Sequence, residues 1–227
     1  MGKDIEFDFN GVTGSGYLAL PKQAGAKPVI VIQEWWGLVP HIKDVVDRLA
    51  SQGFAAFAPD LYHGQVAKEP DTARKLLMEL ELDEAAQELT AAAKYLLELT
   101  EVDSKSVGTL GFCMGGALAI WSATICEDIS TAVGYYPGQS WERHSPHWEN
   151  MKSKRVQIHC SEGDGTSKAS AIVEALSQIN SAGGTAEAFD YPSTLHAFFN
   201  NDRPEVFNKE AAELSWNRTI EFLNRIS

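Results

Sequence analysis

Val107-Gly108-Thr109-Leu110-Gly111-Phe112-Cys113-Met114-Gly115-Gly116-Ala117-Leu118-Ala119-Ile120-Trp121 opens as a buried, β-prone run and closes as an apolar helix former. At its centre, Gly111-Phe112-Cys113-Met114-Gly115 has the spacing of a nucleophile elbow, with cysteine in the place of serine. In such an elbow the central residue sits in a strained turn that exposes its side chain. Glycines two positions to either side let strand and helix approach closely. The start of the helix aims free N–H groups at the nucleophile, which favours a thiolate and a developing oxyanion. A buried cysteine beside a glycine-rich turn would have the same spacing, but the flanking strand and helix favour a catalytic Cys113. Cys126, near the end of the same helix, and Cys160, at the end of a strand, lack that context and read as structural.

Outward from this stretch, strands and helices alternate. Ile5–Phe9 alternates apolar and polar residues, Asn10-Gly11 signals a turn, and Tyr17–Leu20 follows. Pro28–Ile32 is a continuous apolar run suited to a strand buried on both faces. Ile42, Val45, Val46 and Leu49 lie at helical spacing, with Gly53 as the stop. Phe54–Ala58, Val107–Phe112, Ala132–Tyr136, Val156–Cys160 and Ala186–Asp190 read as further strands. Helices are expected over 71–100 (with a break), 117–121, 168–181 and 205–225. The pattern implies an α/β fold: a mostly parallel central sheet with helices on both faces, and functional groups at the carboxyl ends of its strands. The candidate residues spread along the whole chain, so residues 1–227 are expected to form one domain.

Composition narrows the function. The chain has 227 residues, with 19 Lys and Arg against 31 Asp and Glu, a formal net charge of −12. That balance disfavours nucleic acid and anionic membrane surfaces as partners. No apolar run is long enough to span a membrane, and the charged start Met1-Gly2-Lys3-Asp4-Ile5-Glu6 lacks a signal-peptide core. Three irregularly spaced cysteines suit a reducing cytoplasm. No Cys-x-x-Cys pair or His-Glu-x-x-His motif suggests a metal site.

Where an elbow nucleophile sits in an α/β-hydrolase, an acid and then a histidine follow it along the chain. Asp164 lies in the loop Ser161-Glu162-Gly163-Asp164-Gly165 after a strand, with Glu162 as a rival acid. A loop Asp between glycines is often only a turn residue. His196 lies in Tyr191-Pro192-Ser193-Thr194-Leu195-His196-Ala197-Phe198, after the last strand, whereas the other five histidines are worse placed. Cys113 would attack a carbonyl, His196 would carry the proton, and Asp164 would hold the imidazole tautomer. Gln33-Glu34-Trp35-Trp36-Gly37 directly follows the strand 28–32. A carboxylate there is costly unless paired or functional. The tryptophans suit either core or pocket wall. The N–H groups of Trp35 and Met114 are candidates for an oxyanion hole.

The chain resembles the dienelactone hydrolase family of α/β-hydrolases, through Gln33–Gly37, Ala58-Pro59-Asp60-Leu61-Tyr62, Gly111–Gly116, Asp164 and His196-Ala197-Phe198. The resemblance implies a Cys113–His196–Asp164 triad without cofactor or metal. It implies that Glu34 accepts the thiol proton when substrate binds. It also implies hydrolysis of an anionic small-molecule lactone or ester, such as a dienelactone, to a dicarboxylic acid. Arg74 matches one of the family's carboxylate-binding arginines. The second falls on Asn200, with Arg203 close by, so the pocket departs from the family pattern. Trp36 and Tyr136 are further candidates for substrate contact. A hydrolase-like binding or regulatory protein with little turnover is the alternative that these departures leave open.

Overall fold

A computed structural model of the chain describes residues 1–138, 141, 143–164 and 169–227. Its centre is one eight-stranded sheet, formed by β1 (Lys3–Phe9), β2 (Val12–Ala19), β3 (Lys27–Ile32), β4 (Phe54–Pro59), β5 (Val107–Phe112), β6 (Ile129–Tyr135), β7 (Arg155–Gly163) and β8 (Thr185–Leu195). The spatial order is β1-β2-β4-β3-β5-β6-β7-β8. The β1–β2 and β2–β4 pairs are antiparallel and the rest of the sheet is parallel. Asn10 (φ 56°) and Gly11 (φ 82°) make the tight turn between β1 and β2, where Phe9 pairs with Val12. Positive φ at both positions matches the twist of a two-residue hairpin.

The helices are α1 (Pro40–Ser51), α2 (Pro70–Glu79), α3 (Leu82–Leu97), α4 (Met114–Ile125), α5 (Ala169–Ser181) and α6 (Lys209–Leu223). Residues of α1 and α6 bury against one face of the sheet, through Ile42, Val45, Leu49, Phe222 and Leu223. Residues of α2–α5 bury against the other, through Leu76, Leu89, Leu96, Leu118 and Ile179. Helix α4 is apolar on every side and buried from Met114 to Thr124, so only a position between the sheet and its neighbours suits it. The expected α/β class with helices on both faces is borne out.

Several boundaries differ from the sequence reading. The long 71–100 helix is broken at Leu80-Glu81, which have extended backbones, into α2 and α3. The last helix starts at Lys209, not 205, because the Asn208 side chain accepts a hydrogen bond from the Ala211 N–H and caps it there. Strand β8 runs five residues beyond Asp190, past an irregularity in its pairing with β7, to a Gly163–Leu195 pair. The expected helix start at Lys168, and Gly165, lie outside the described residues.

One buried charge sits away from the sheet ends. Glu88, on α3, is 1% exposed and meets His63 Nε2 at 3.3 Å. Burial pushes its pKa up to about 7, against the opposing pull of His63. An acid whose pKa is raised on folding costs stability as pH climbs from its unfolded value through its folded one. The melting-temperature advantage of Glu88→Gln over the wild type is therefore expected to grow between pH 4.5 and 7, by up to roughly 3 kcal/mol in stability. Thermal unfolding across that range checks this; a difference that does not change with pH would contradict it.

Candidate active site

The elbow begins with close packing. A Cβ on Gly111 would lie 1.9 Å from the Gly115 carbonyl oxygen, and one on Gly115 would lie 2.4 Å from the carbonyl oxygens of Ile32 and Gln33. Only glycine at both positions lets α4 start against the ends of β5 and β3. That approach sets Cys113 beside the Glu34-Trp35 segment. Cys113 itself has φ 55° and ψ −119°, which is strained for a residue with a side chain. The strain is held by the Cys113 N–H donating to Tyr135 O at 3.0 Å, and by the Cys113 carbonyl accepting from Gly116 and Ala117. The N–H groups of Met114 and Trp35 donate to no described residue. Free donors at a helix start next to a nucleophile can stabilise an oxyanion.

Strands β7 and β8 bring the acid and the histidine to the same edge. Asp164 follows β7 directly and its side chain is 1% exposed. His196 follows β8, and its Nδ1 lies 2.8 Å from Asp164 Oδ2. Ser161 Oγ also donates to that oxygen, at 3.2 Å. The rival acid, Glu162, instead accepts from the Ser193 N–H at 2.7 Å and takes no part in this contact. Burial of the imidazole opposes its protonation. Hydrogen bonds to Asp164 and Cys113, with their charges, outweigh that and raise its pKa to about 10. The arrangement therefore favours a proton on His196. Burial raises the pKa of Cys126, and pushes that of Cys160 up to about 12 with help from the Asp190 and Asp164 charges.

Glu34 is 2% exposed, and burial raises its pKa, against His41, an Asn200 hydrogen bond, His196 and Arg203. Asn200 Nδ2 donates to Glu34 Oε2 at 2.9 Å. Asn200 is thus the neutral partner of a buried carboxylate and does not open a gap in the pocket. Tyr136, with φ 37°, is fully buried and packs edge-on against His196 at 4.9 Å between ring centres. It backs the imidazole and offers no surface to solvent.

Around this centre, Trp35 and Trp36 are half-buried and meet edge-on at 5.1 Å. Tyr62 donates through its hydroxyl to Met114 Sδ at 3.4 Å. Its loop is tied down by Asp60, which accepts from the N–H groups of Tyr62 and Gly64. The Ala58–Tyr62 motif thus shapes a wall behind the elbow. Arg203 spends its Nε on Glu205, at 3.0 Å, and its charge acts on both Glu34 and Tyr136. Arg74 is exposed on α2 and pairs with no described residue. Arg143, which carried no signal in the sequence, holds the Leu77 and Leu80 carbonyls at the end of α2, and its charge reaches Tyr62. Of the candidate arginines, Arg203 is the one whose charge reaches Glu34.

Comparisons with known proteins show the family. The model of the "Dienelactone hydrolase family" matches residues 15–227. The chain belongs to the dienelactone hydrolase family. It is a hydrolase with the α/β-hydrolase fold. It is similar to Protein usf of Aquifex pyrophilus, 34% identical over 98% of this chain and 97% of that one. It is also similar to the carboxymethylenebutenolidase of Pseudomonas putida, 31% identical over 56% of this chain and 57% of that one. The solved structure of P91, a dienelactone hydrolase-like promiscuous phosphotriesterase from metagenomic libraries, shares its fold. That likeness has a TM-score of 0.88 and 18% identity, covering 100% of this chain and 98% of P91. No helix of the described residues is long and apolar enough to cross a membrane.

Proposed function

We propose that this protein opens small lactones or esters through a thioester on Cys113, with His196 and Asp164 completing the triad. The observation that carries the reading is one edge of the sheet: Cys113 at the start of α4, His196 hydrogen-bonded to it, and Asp164 behind His196 at 2.8 Å. The Cys113 sulfur adds to the ester carbonyl, and the oxyanion is received by the Trp35 and Met114 N–H groups. The tetrahedral adduct collapses, the C–O bond breaks, and imidazolium His196 protonates the departing oxygen. In a lactone that oxygen stays tethered to the acyl group. Water then attacks the thioester while neutral His196 takes its proton. The thiolate leaves with the carbonyl carbon now an acid, and the imidazole is charged again. Asp164 holds Nδ1 throughout, which fixes the tautomer.

In the same reading Glu34 receives the thiol proton when substrate binds, because a buried carboxylate with a raised pKa accepts a proton readily. The substrate is an anionic small molecule. Its carboxylate meets Arg203, with Arg74 further out, and its ring lies against Trp35 and Trp36. The protein works in the cytoplasm. Glu34→Gln is expected to lower kcat by about a hundredfold with a smaller change in KM. Steady-state kinetics on one lactone checks this; an unchanged kcat with a raised KM would contradict the role.

The direct test is a panel of p-nitrophenyl esters and enol-lactones, with and without a carboxylate, assayed with the wild type and with Arg203→Ala. Turnover with a preference for the carboxylated lactones, lost in Arg203→Ala, is the expected result. Ligand-dependent thermal stabilisation without turnover of any substrate would overturn the hydrolase reading in favour of a binding protein.

A further inference from the structure

The proposed oxyanion hole takes its N–H groups from separate segments, Trp35 after β3 and Met114 at the start of α4. Such donors stabilise an oxyanion only when both are held to within about 0.5 Å of the fitting geometry. The loop between β4 and α2 touches both segments. Tyr62, 4% exposed, donates through its hydroxyl to Met114 Sδ at 3.4 Å. The Ala67 N–H donates to the Trp36 carbonyl at 2.9 Å. Between these contacts the loop passes close against Gly37, which has φ 97°. A Cβ there would lie 2.6 Å from the Gln65 carbonyl oxygen.

The loop has anchors of its own. The Asp60 N–H donates to Ser15 O at 2.9 Å, and the Asp60 carboxylate accepts from the Tyr62 and Gly64 N–H groups at 3.2 and 2.7 Å. The Gln65 N–H donates to Tyr62 O at 3.1 Å. Further along, His63 Nε2 meets Glu88 Oε2 at 3.3 Å. Tyr62 therefore stands on a fixed backbone. A thioether is a weak acceptor for a buried hydroxyl, so packing alone would be served as well by phenylalanine. Methionine is unbranched and adaptable. A hydroxyl bonded to its sulfur confines that freedom at Met114, the first residue of α4.

We infer that Tyr62 is a positioning residue for the oxyanion hole: its hydroxyl, bonded to the Met114 sulfur, fixes the first residue of α4, while the same loop holds the Trp35-Trp36 segment through Ala67. The inference rests on the proposed role of the Met114 and Trp35 N–H groups.

The test measures kcat and KM for p-nitrophenyl acetate, and the Ki of an alkyl trifluoromethyl ketone, in the wild type, Tyr62→Phe, Met114→Leu and the double variant. The Cys113 sulfur adds to the ketone carbon and the carbonyl π pair moves to oxygen, so Ki reports on the hole without turnover. Acylation and deacylation both pass through an oxyanion. Tyr62→Phe is therefore expected to lower kcat about tenfold, with KM within about twofold, and to raise Ki about tenfold. Met114→Leu removes the acceptor at similar volume and is expected to do the same. The double variant is expected to be about as impaired as either single one, because the bond is already lost. Unchanged kcat and Ki in Tyr62→Phe, a change in KM alone, or losses that multiply in the double variant would overturn the inference. Thermal unfolding is recorded for each protein. Should Tyr62→Phe fail to fold, unchanged kcat and Ki in Met114→Leu would overturn the inference alone. Cys113→Ala is measured alongside. A wild type that the ketone does not inhibit would refute the oxyanion hole itself, and this inference with it. Inhibition that needs Cys113 but is unchanged in Tyr62→Phe and Met114→Leu would refute only the role of Tyr62.

Discussion

Cys113→Ala is expected to lower kcat/KM for lactone and ester substrates by about 10⁴-fold or more, to the level the surrounding groups supply without a nucleophile. The size of the loss follows from how the site is built. The Met114 and Trp35 N–H groups have no acceptor among the described residues, and the elbow holds Cys113 in a φ of 55° that exposes its sulfur. Removing the sulfur leaves those donors and the His196–Asp164 pair in place, so the fold and substrate binding should survive. The melting temperature should stay close to that of the wild type. Cys126 and Cys160 do not substitute, because burial raises both of their pKa values and neither lies at a helix start. Stopped-flow and steady-state assays of Cys113→Ala check this. Turnover within tenfold of the wild type would place the nucleophile elsewhere.

Gly111→Ala is expected to be the most damaging added methyl among the described glycines. Its Cβ would lie 1.9 Å from the Gly115 carbonyl oxygen and 2.2 Å from the carbonyl carbon, both backbone atoms of the first turn of α4. Neither can rotate away, so the helix start must leave the strand. Crowding of that kind costs about 3 kcal/mol or more, a lowering of the melting temperature by roughly 6–12 °C for a domain this size. Activity should fall as well, since the same movement displaces the Met114 N–H. Gly108→Ala, on the same strand, is the control. Its Cβ would press on Ile226 Cδ1 at 2.5 Å, the far end of a flexible side chain, and its cost should be smaller. Calorimetry of the two variants decides; equal losses would mean that the Gly111 approach is not special.

Much of this arrangement could be read from local pattern. The apolar β-branched runs announced the parallel strands, and two glycines spaced around a cysteine announced the elbow, because both signals are short-range. Asp164 and His196 followed from chain order alone. What the sequence could not state was pairing across the sheet. Strand β8 continues to Leu195 because it finds Gly163 opposite it, past a register irregularity that no periodicity reveals. Asn200 read as a missing cation, yet it is the hydrogen-bond partner of Glu34, 166 positions away along the chain. Arg143 had no motif around it, and its meaning comes only from the carbonyls that the fold brings to it. Glu88 carried no signal in the sequence, and is buried because α3 turns that position onto the His63 loop. Glu162 is a rival to Asp164 in one dimension. The strand β7 ends so that only Asp164 meets His196.

The central claim is a covalent one, that an acyl group passes through the sulfur of Cys113. Wild-type protein mixed with p-nitrophenyl acetate, quenched in acid within milliseconds and digested, should carry one acetyl group on the peptide containing Cys113. The adduct should decay at the rate of turnover and be absent from Cys113→Ala. Full turnover with no acetyl on that peptide, or with the acetyl on another residue, would contradict the account.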